Sequence, residues 1–394
     1  MHFSKRISQL EINSLTQAVK RAHEAGIEVQ NISDSNPTRH ALAPAGVPGP
    51  YVADPRGPFR ARRQLAAFLS AQQGREVNPE NLYLLSSTSQ AYSWLLKLFC
   101  DPGESIFAPC PGYPLIEQLA ALEGARQKNY FLHFAGQWFI DTAELHQQLA
   151  AASPELRPRA LAVINPNNPT GSYLHGGERA EILEICRRYD LPLIADEVFF
   201  SYSLGAEADL QAGGVQRFAG EKSVLTLALD GFSKNLGAPQ VKLAWIEVSG
   251  PADLVAAAQA RLDIIADAYL PMSTLITEQL PELLAEIPAQ IERIRARTRT
   301  NLATLQRLVT SSRQQSLSIY LPEGGWSALF RFPSYLDEAE LVQELIRRAE
   351  LTAQPGYFFD LPTPGFLNIS LLPDPEVFTD NLQQVVAIID DLLS

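Results

Sequence analysis

Residues 160–171, ALAVINPNNPTG, join a short apolar run to a loop rich in proline and asparagine. The run is typical of a buried strand, because strands covered on both faces are apolar without alternation. Similar runs recur along the chain, several of them separated by helical stretches, at residues 81–87, 104–109, 191–199, 223–231 and 242–248. Short apolar strands separated by helices predict an α/β fold, with a mostly parallel central sheet and helices on both faces.

The region after Pro271 has a different pattern. A helix over about 282–310 is followed by strands in LSIYLP, WSALFRF and LNISLL, which alternate with helices. This pattern predicts a smaller α+β domain, and 394 residues are enough for two domains. We expect a large domain over 40–280. We expect the small domain to combine 281–394 with 1–39, because an N-terminal helix over roughly 8–25 is too short to fold alone.

Composition and charge exclude several classes of partner. The chain is 46 % hydrophobic and 19 % charged, as globular proteins are. Its 44 acidic and 32 basic residues give a formal net charge of -12, which disfavours nucleic acid and anionic membranes as partners. No apolar run approaches the ~18 residues of a membrane span, and the N-terminus lacks the apolar core of a signal peptide. Three cysteines without a Cys-x-x-Cys pair, and no His-x-x-x-His pair, predict a cytoplasmic protein with no disulfide framework and no metal site.

Three polar residues directly follow predicted strands: Asn168 in NPNNPTG, Asp196 in DEVF and Lys234 in GFSKN. Taken singly, the asparagine loop is an ordinary turn, and the carboxylate is a solvated acid or a helix cap. Together they would meet at one edge of one sheet, an arrangement that suits a Schiff-base cofactor. The lysine would form the imine, the carboxylate would keep a pyridine nitrogen protonated, and the asparagine would donate to a phenolic oxygen. The hydroxyl run at 86–89, at a helix N-terminus, predicts a site for a phosphate.

These segments together resemble the class I and II aminotransferases, the fold-type-I pyridoxal-phosphate enzymes. The order and spacing agree from about residue 30 to residue 375. The resemblance implies pyridoxal 5'-phosphate as the cofactor and ping-pong transfer of an amino group between an amino acid and a 2-oxo acid. It also implies a homodimer with shared active sites. The matching stretches are YVADPRGPFRARRQLAAFL, LSSTSQAYSWLLKLFCDPGESIFAPCPGYP, NPNNPTG, DEVF, GFSKNLGAPQVKLAW and EGGW.

The resemblance implies a role for each matching residue. Lys234 would carry the cofactor and shuttle a proton, Asp196 would bind the ring nitrogen, and Asn168 would bind the phenolic oxygen. Tyr113 would stack on the ring, and Tyr51 would reach the phosphate of the other subunit; ordinary aromatic packing is the alternative for both. The remaining phosphate contacts implied by the family are Ser87, Thr88, Ser89, Ser233 and Lys242.

Three departures from the family pattern affect the cofactor. Lys242 stands where the family usually has arginine. Lysine keeps the positive charge beside a phosphate, but it cannot make the two parallel hydrogen bonds of a guanidinium. Gly231 replaces the usual hydroxyl residue. Phe199 replaces the usual tyrosine, which removes one donor to the phenolic oxygen; the sequence offers Tyr202 as a substitute donor.

A fourth departure concerns the substrate. Asn368 replaces the arginine that grips the substrate carboxylate in the family, and asparagine cannot balance that charge. The candidate replacements are Arg331, in WSALFRF, and Arg39, after SNPT; the alternative is that both are surface arginines. Asn36, in SNPT, completes the candidate substrate residues.

Two other functions stay open from the sequence alone. The missing arginine and Phe199 are compatible with another pyridoxal-phosphate reaction on this scaffold, such as a C–S β-lyase or a racemase. A regulatory pyridoxal-phosphate-binding domain is the alternative outside enzymes, and the acidic charge and lack of a DNA-binding module argue against it.

Overall fold

The structure, a computed structural model, describes residues 1–7, 14–270 and 272–394. Its larger sheet has the strand order β1-β8-β7-β6-β5-β2-β3-β4. Pairing is parallel from β7 through β6, β5 and β2 to β3, whereas β8 and β4 are antiparallel to their neighbours. The mostly parallel α/β sheet is therefore confirmed. The strands are β1 (Leu82–Leu85), β2 (Ser105–Cys110), β3 (Arg126–Phe134), β4 (Trp138–Ile140), β5 (Leu161–Ile164), β6 (Leu193–Asp196), β7 (Thr226–Gly231) and β8 (Ala244–Ser249).

Helices cover both faces of this sheet, as the apolar runs predict. In β5, Ala162 and Ile164 face a core shared with α3, α4 and α9, whereas Leu161 and Val163 face a core shared with α5 and α6. The strands are continuously apolar because each face meets its own core. The helices are α1 (Ser14–Glu24), α2 (Phe59–Gln73), α3 (Thr88–Phe99), α4 (Leu115–Leu122), α5 (Thr142–Ala151), α6 (Gly176–Tyr189), α7 (Glu207–Ala212), α8 (Phe232–Asn235), α9 (Ala252–Tyr269), α10 (Thr274–Glu278), α11 (Leu280–Thr310), α12 (Glu338–Ala349) and α13 (Pro375–Leu392).

The smaller sheet is antiparallel, with the order β11-β12-β10-β9. One face packs against α11, α12 and α13 through residues such as Phe330, Leu367 and Leu382. Its strands are β9 (Ser318–Tyr320), β10 (Ser327–Arg331), β11 (Gln354–Pro355) and β12 (Phe366–Ser370). These elements match the α+β pattern expected after residue 281.

The N-terminal segment only partly follows the prediction. Within the predicted helix of 8–25, α1 spans Ser14–Glu24 and buries none of its residues, and 8–13 lie outside the described residues. Met1, Phe3 and Ile7 contact the core of the larger sheet. The domain boundaries at residues 40 and 280 stay a prediction. No described helix is both long and apolar enough to cross a membrane.

Three loops are joined at the carboxyl edge of the larger sheet. Gly171, at the end of the asparagine loop, accepts a backbone hydrogen bond from Gly324 at 2.9 Å. Gly325 donates to the carbonyl of Tyr202 at 2.9 Å, which ties the segment before β10 to the chain that follows β6. Gly171 has φ +69°, and a Cβ there would lie 2.4 Å from the Cβ of Pro322. Only glycine therefore allows this close approach.

We expect Gly171→Ala to lower the free energy of unfolding by about 2–4 kcal/mol, from left-handed strain plus overpacking. Gly136→Ala is the matched control, because Gly136 also has a positive φ of +85° but a Cβ there meets open space. The control should lose only about 1–2 kcal/mol from strain. Urea unfolding of both variants measures the difference, and equal losses would show that crowding at Pro322 is unimportant.

Candidate active site

Lys234 lies in α8, the single helical turn that follows β7. Its ammonium nitrogen lies 5.1 Å from the ring centroids of both Phe199 and Trp326. Burial lowers the pKa of Lys234, and the charge of Asp196 partly opposes that effect. A lysine whose pKa is lowered by burial is more readily the neutral amine that attacks a carbonyl.

Asp196 is the last residue of β6, the strand next to β7. Its carboxylate accepts hydrogen bonds from the hydroxyl of Tyr92 at 3.1 Å and from the backbone N–H of Val198 at 3.3 Å. Burial raises the pKa of Asp196 to about 6. A carboxylate this deeply buried is costly unless a cation or a hydrogen-bond donor pairs with it.

The asparagine loop follows β5 and is held by two of its three asparagines. Asn165 donates its backbone N–H to the carbonyl of Asp196 at 2.8 Å and accepts from Leu174 at 3.0 Å. Asn167 donates to the hydroxyl of Thr170 at 2.9 Å. Asn168 is half-buried, and in the described part of the chain its side chain has no hydrogen-bond partner. Its amide is therefore free to bind a ligand.

The predicted phosphate contacts come from three places in the chain. Ser87 caps α3 by accepting from the backbone N–H of Gln90 at 3.2 Å, and Thr88 and Ser89 lie in the first turn, where N–H groups lack helical partners. Ser233 is half-buried and Lys242 is exposed, and neither side chain has a partner among the residues described. A lysine amine, a buried carboxylate, a free amide and a helix N-terminus with free hydroxyls form a donor set that fits pyridoxal phosphate.

The glycine at 231 has a steric cause. A Cβ there would lie 2.8 Å from the Cβ of Ala244, the first residue of β8, and 3.1 Å from the carbonyl oxygen of Leu243, the residue before it. A serine or threonine at this position would therefore collide with the neighbouring strand. The close packing of β7 against β8 therefore leaves no room for the hydroxyl residue that the family usually has at this position.

The structure corrects the expectation for Tyr202. Its hydroxyl donates to the backbone carbonyl of Lys234 at 2.5 Å, and the residue is buried. The hydroxyl of Tyr202 therefore binds the backbone of the lysine turn, and it does not replace the donor that is lost at Phe199. The rings of Tyr202 and Phe199 both make edge contacts with Trp326.

The aromatic candidates lie at exposed positions. Tyr113 is 39 % exposed in the turn after β2, and its pKa is raised by burial and then by the charge of Asp196. Tyr51 is equally exposed, and its backbone N–H and carbonyl are bound by the side chains of Thr38 and Asn36 at 2.8 and 2.9 Å. Asn36 therefore holds Tyr51 in place.

The structure does not bring the candidate arginines into contact with Lys234. Arg39 is half-exposed and lies 3.6 Å from Asp34. Arg331 is exposed at the end of β10, roughly 16 Å along the chain from Trp326. Asn368 donates to Gln354 at 3.1 Å, on the face of β12 that it shares with Phe366.

A buried ion cluster behind the site was not predicted. Arg217 lies 3.3 Å from Asp230 and 3.6 Å from Glu197, the residue after Asp196. Asp230 also accepts from Asn235, next to Lys234, at 2.8 Å. Burial raises the pKa of Glu197 to about 7 and also raises that of Asp230. No local motif could reveal the cluster, because its members come from separate segments.

The fold and the site together define an α/β enzyme equipped for Schiff-base chemistry. The chain belongs to the family described as aminotransferase class I and II, whose model matches residues 51–385. It is a pyridoxal-phosphate-dependent transaminase, and its substrates are amino acids and 2-oxo acids. The family, cofactor and activity implied by the sequence motifs are thus confirmed.

Similar proteins are distant in sequence and close in fold. Glutamate-pyruvate aminotransferase AlaA of Escherichia coli strain K12 is 23 % identical over 376 residues, which cover 90 % of this chain and 88 % of the relative. The solved structure of alanine aminotransferase from Pyrococcus furiosus has a TM-score of 0.76 at 19 % identity and covers 99 % of both chains. Cystalysin from Treponema denticola, whose structure contains pyridoxal 5'-phosphate, has a TM-score of 0.73 at 17 % identity over 87 % of this chain and 85 % of its own. These two structures establish fold type I.

Phe199→Tyr should lower the pKa that governs the visible spectrum of the holoenzyme, because a phenol donor stabilises the ionised phenolic oxygen of the cofactor. Phe200→Tyr is the control, since the ring of Phe200 packs on Arg217 instead of facing Lys234. Absorbance titrations of both variants measure the shift. An unchanged or higher pKa in Phe199→Tyr would show that position 199 does not serve that oxygen.

Proposed function

We propose that Lys234 is the residue that holds pyridoxal phosphate and moves the proton during amino transfer, and that Asp196 binds the ring nitrogen. The proposal rests on one observation: the two residues lie at or just after the carboxyl ends of adjacent parallel strands, close enough for the charge of Asp196 to affect the pKa of Lys234. When bound, the cofactor supplies an electron sink for the bond that the enzyme breaks.

The chain's own residues have distinct tasks in this proposal. Lys234, whose pKa is lowered by burial, accepts and returns the proton during amino transfer. Asp196, ionised, keeps the ring nitrogen protonated, and Asn168 donates to the phenolic oxygen. Tyr113 covers one face of the ring. The phosphate is held by Ser87, Thr88, Ser89, Ser233 and Lys242.

We expect the holoenzyme to convert completely to its pyridoxamine form when an amino donor is supplied without an acceptor. L-alanine, L-glutamate and L-cysteine are suitable donors, and absorbance, oxo-acid yield and ammonia are followed together. An aminotransferase yields one oxo acid per site and no ammonia. Ammonia release with the cofactor regenerated would instead indicate a C–S β-lyase, and inversion of the donor without either product would indicate a racemase.

We also propose a homodimer in the cytoplasm. The N-terminal segment exposes large apolar side chains that monomeric proteins rarely leave in one region. Tyr51 lies within this segment, and Asn36 and Thr38 bind its backbone. In the proposed dimer, Tyr51 would reach the phosphate of the partner subunit. Three buried, free cysteines agree with a reducing compartment. Sedimentation at the monomer mass would contradict the dimer. The exposed side chains include Ile27, Val29, Ile32, Leu42, Val47, Val52 and Phe59.

We propose that Arg39, ahead of Arg331, binds the carboxylate of the substrate. Arg39 follows the turn that holds Tyr51, whereas Arg331 lies at the far end of β10 from Trp326. Asn368 would contribute a neutral donor or acceptor to the substrate.

Arg39→Ala should therefore raise the KM for amino acids about tenfold or more, since an anion loses its charged partner, while cofactor affinity stays unchanged. Arg331→Ala is the matched control and should leave KM unchanged. An amine that lacks the carboxylate should be affected far less in either variant. If neither variant changes the KM, either neutral donors such as Asn368 hold the substrate or the substrate is not a simple α-amino acid.

A further inference from the structure

The carboxylate of Asp196 has few partners for a group that is 6 % exposed. The titratable groups that face it come from four elements, namely Tyr92 on α3, Tyr113 after β2, Asp230 at the end of β7, and Lys234 on α8. None of the described cations lies within ion-pair distance of it. Its hydrogen-bond donors are the backbone N–H of Val198 and the hydroxyl of Tyr92.

Tyr92 is the one described side chain that donates to this carboxylate. It is 2 % exposed, so both its hydroxyl and its acceptor are removed from water. A hydrogen bond to a buried, charged acceptor is stronger than one between neutral groups, and the acceptor is costly to leave without it. The contact at 3.1 Å therefore bears directly on whether Asp196 is ionised.

The position of Tyr92 on α3 links the two ends of the proposed cofactor site. Thr88 and Ser89, in the first turn of α3, are proposed phosphate ligands. Tyr92 lies four residues after Thr88, so the two share one face of the helix about 6 Å apart along its axis. One rigid helix thus presents donors to the phosphate end and, through Asp196, to the ring-nitrogen end.

We propose that Tyr92 is a positioning residue whose hydroxyl fixes one oxygen of Asp196 and keeps that carboxylate ionised for the ring nitrogen. The proposal rests on the proposed role of Asp196. Burial raises the pKa of Asp196 to about 6, and the bond from Tyr92 opposes that rise. Without the hydroxyl, Asp196 keeps one backbone donor, and its pKa rises further.

Tyr92→Phe deletes one oxygen atom and tests the proposal in the holoenzyme. We expect about tenfold weaker binding of pyridoxal phosphate, the size of one lost hydrogen bond to a charged group. We also expect the acid limb of the pH profile of cofactor affinity to move upward by about one pH unit, because a carboxyl of higher pKa takes up its proton at higher pH. Equilibrium titration with the cofactor gives a readout independent of turnover.

Tyr130→Phe is the matched control. Tyr130 is also buried, and its hydroxyl donates to the backbone carbonyl of Ala162 at 2.9 Å, away from Asp196. Both variants lose one buried hydroxyl, so a purely structural effect would appear in both. The proposal requires the loss of affinity and the shifted acid limb in Tyr92→Phe alone.

A double variant with both Tyr92→Phe and Asp196→Ala distinguishes the role of Tyr92 from the role of Asp196. If Tyr92 acts through Asp196, Tyr92→Phe has no further effect on cofactor affinity in an Asp196→Ala background. Two results would overturn the role of Tyr92. One is a double variant whose loss of cofactor affinity is the product of the losses in the two single variants, and the other is a Tyr92→Phe variant that behaves like Tyr130→Phe. Normal turnover of Asp196→Ala would instead overturn the proposed role of Asp196 itself.

Discussion

The parallel pairing of β5, β6 and β7 is the constraint on which the site depends. Ile164, Asp196 and Leu229 lie in register across the three strands, so the chain leaves all of them at the same edge of the sheet. The asparagine loop, the carboxylate and the lysine turn begin within a few residues of that line. Close packing of the neighbouring strand accounts for Gly231, and the joined loops at Gly171 fix the segment that brings Trp326 to Lys234.

The electrostatic consequence is a concentration of buried acids at one edge. Burial raises the pKa values of Asp196, Glu197 and Asp230, and Arg217 pairs with the latter two. Asp196 instead accepts hydrogen bonds from two neutral donors and feels the charge of Lys234 only at a distance. A carboxylate so placed favours a positively charged ligand atom beside it, which is what a protonated pyridine nitrogen supplies.

The sequence predicts the features that depend on residues close together along the chain. Apolar runs followed by turn residues located Asn168, Asp196 and Lys234 at strand ends. Strand β3, next to the edge strand β4, has no continuous apolar run that predicts it, because it alternates exposed and less exposed residues and carries polar side chains. The bond between Tyr92 and Asp196 spans 104 residues, and the direction of the Tyr202 hydroxyl depends on packing against Trp326, so neither has a local signal.

The most direct test of this account is reduction of the holoenzyme with borohydride, followed by peptide mapping. The account predicts a yellow protein in which reduction fixes the cofactor to the peptide that contains Lys234, and no fixed cofactor in Lys234→Arg. Label on Lys242, on Lys222, or on no lysine would contradict the placement of the cofactor at the end of β7.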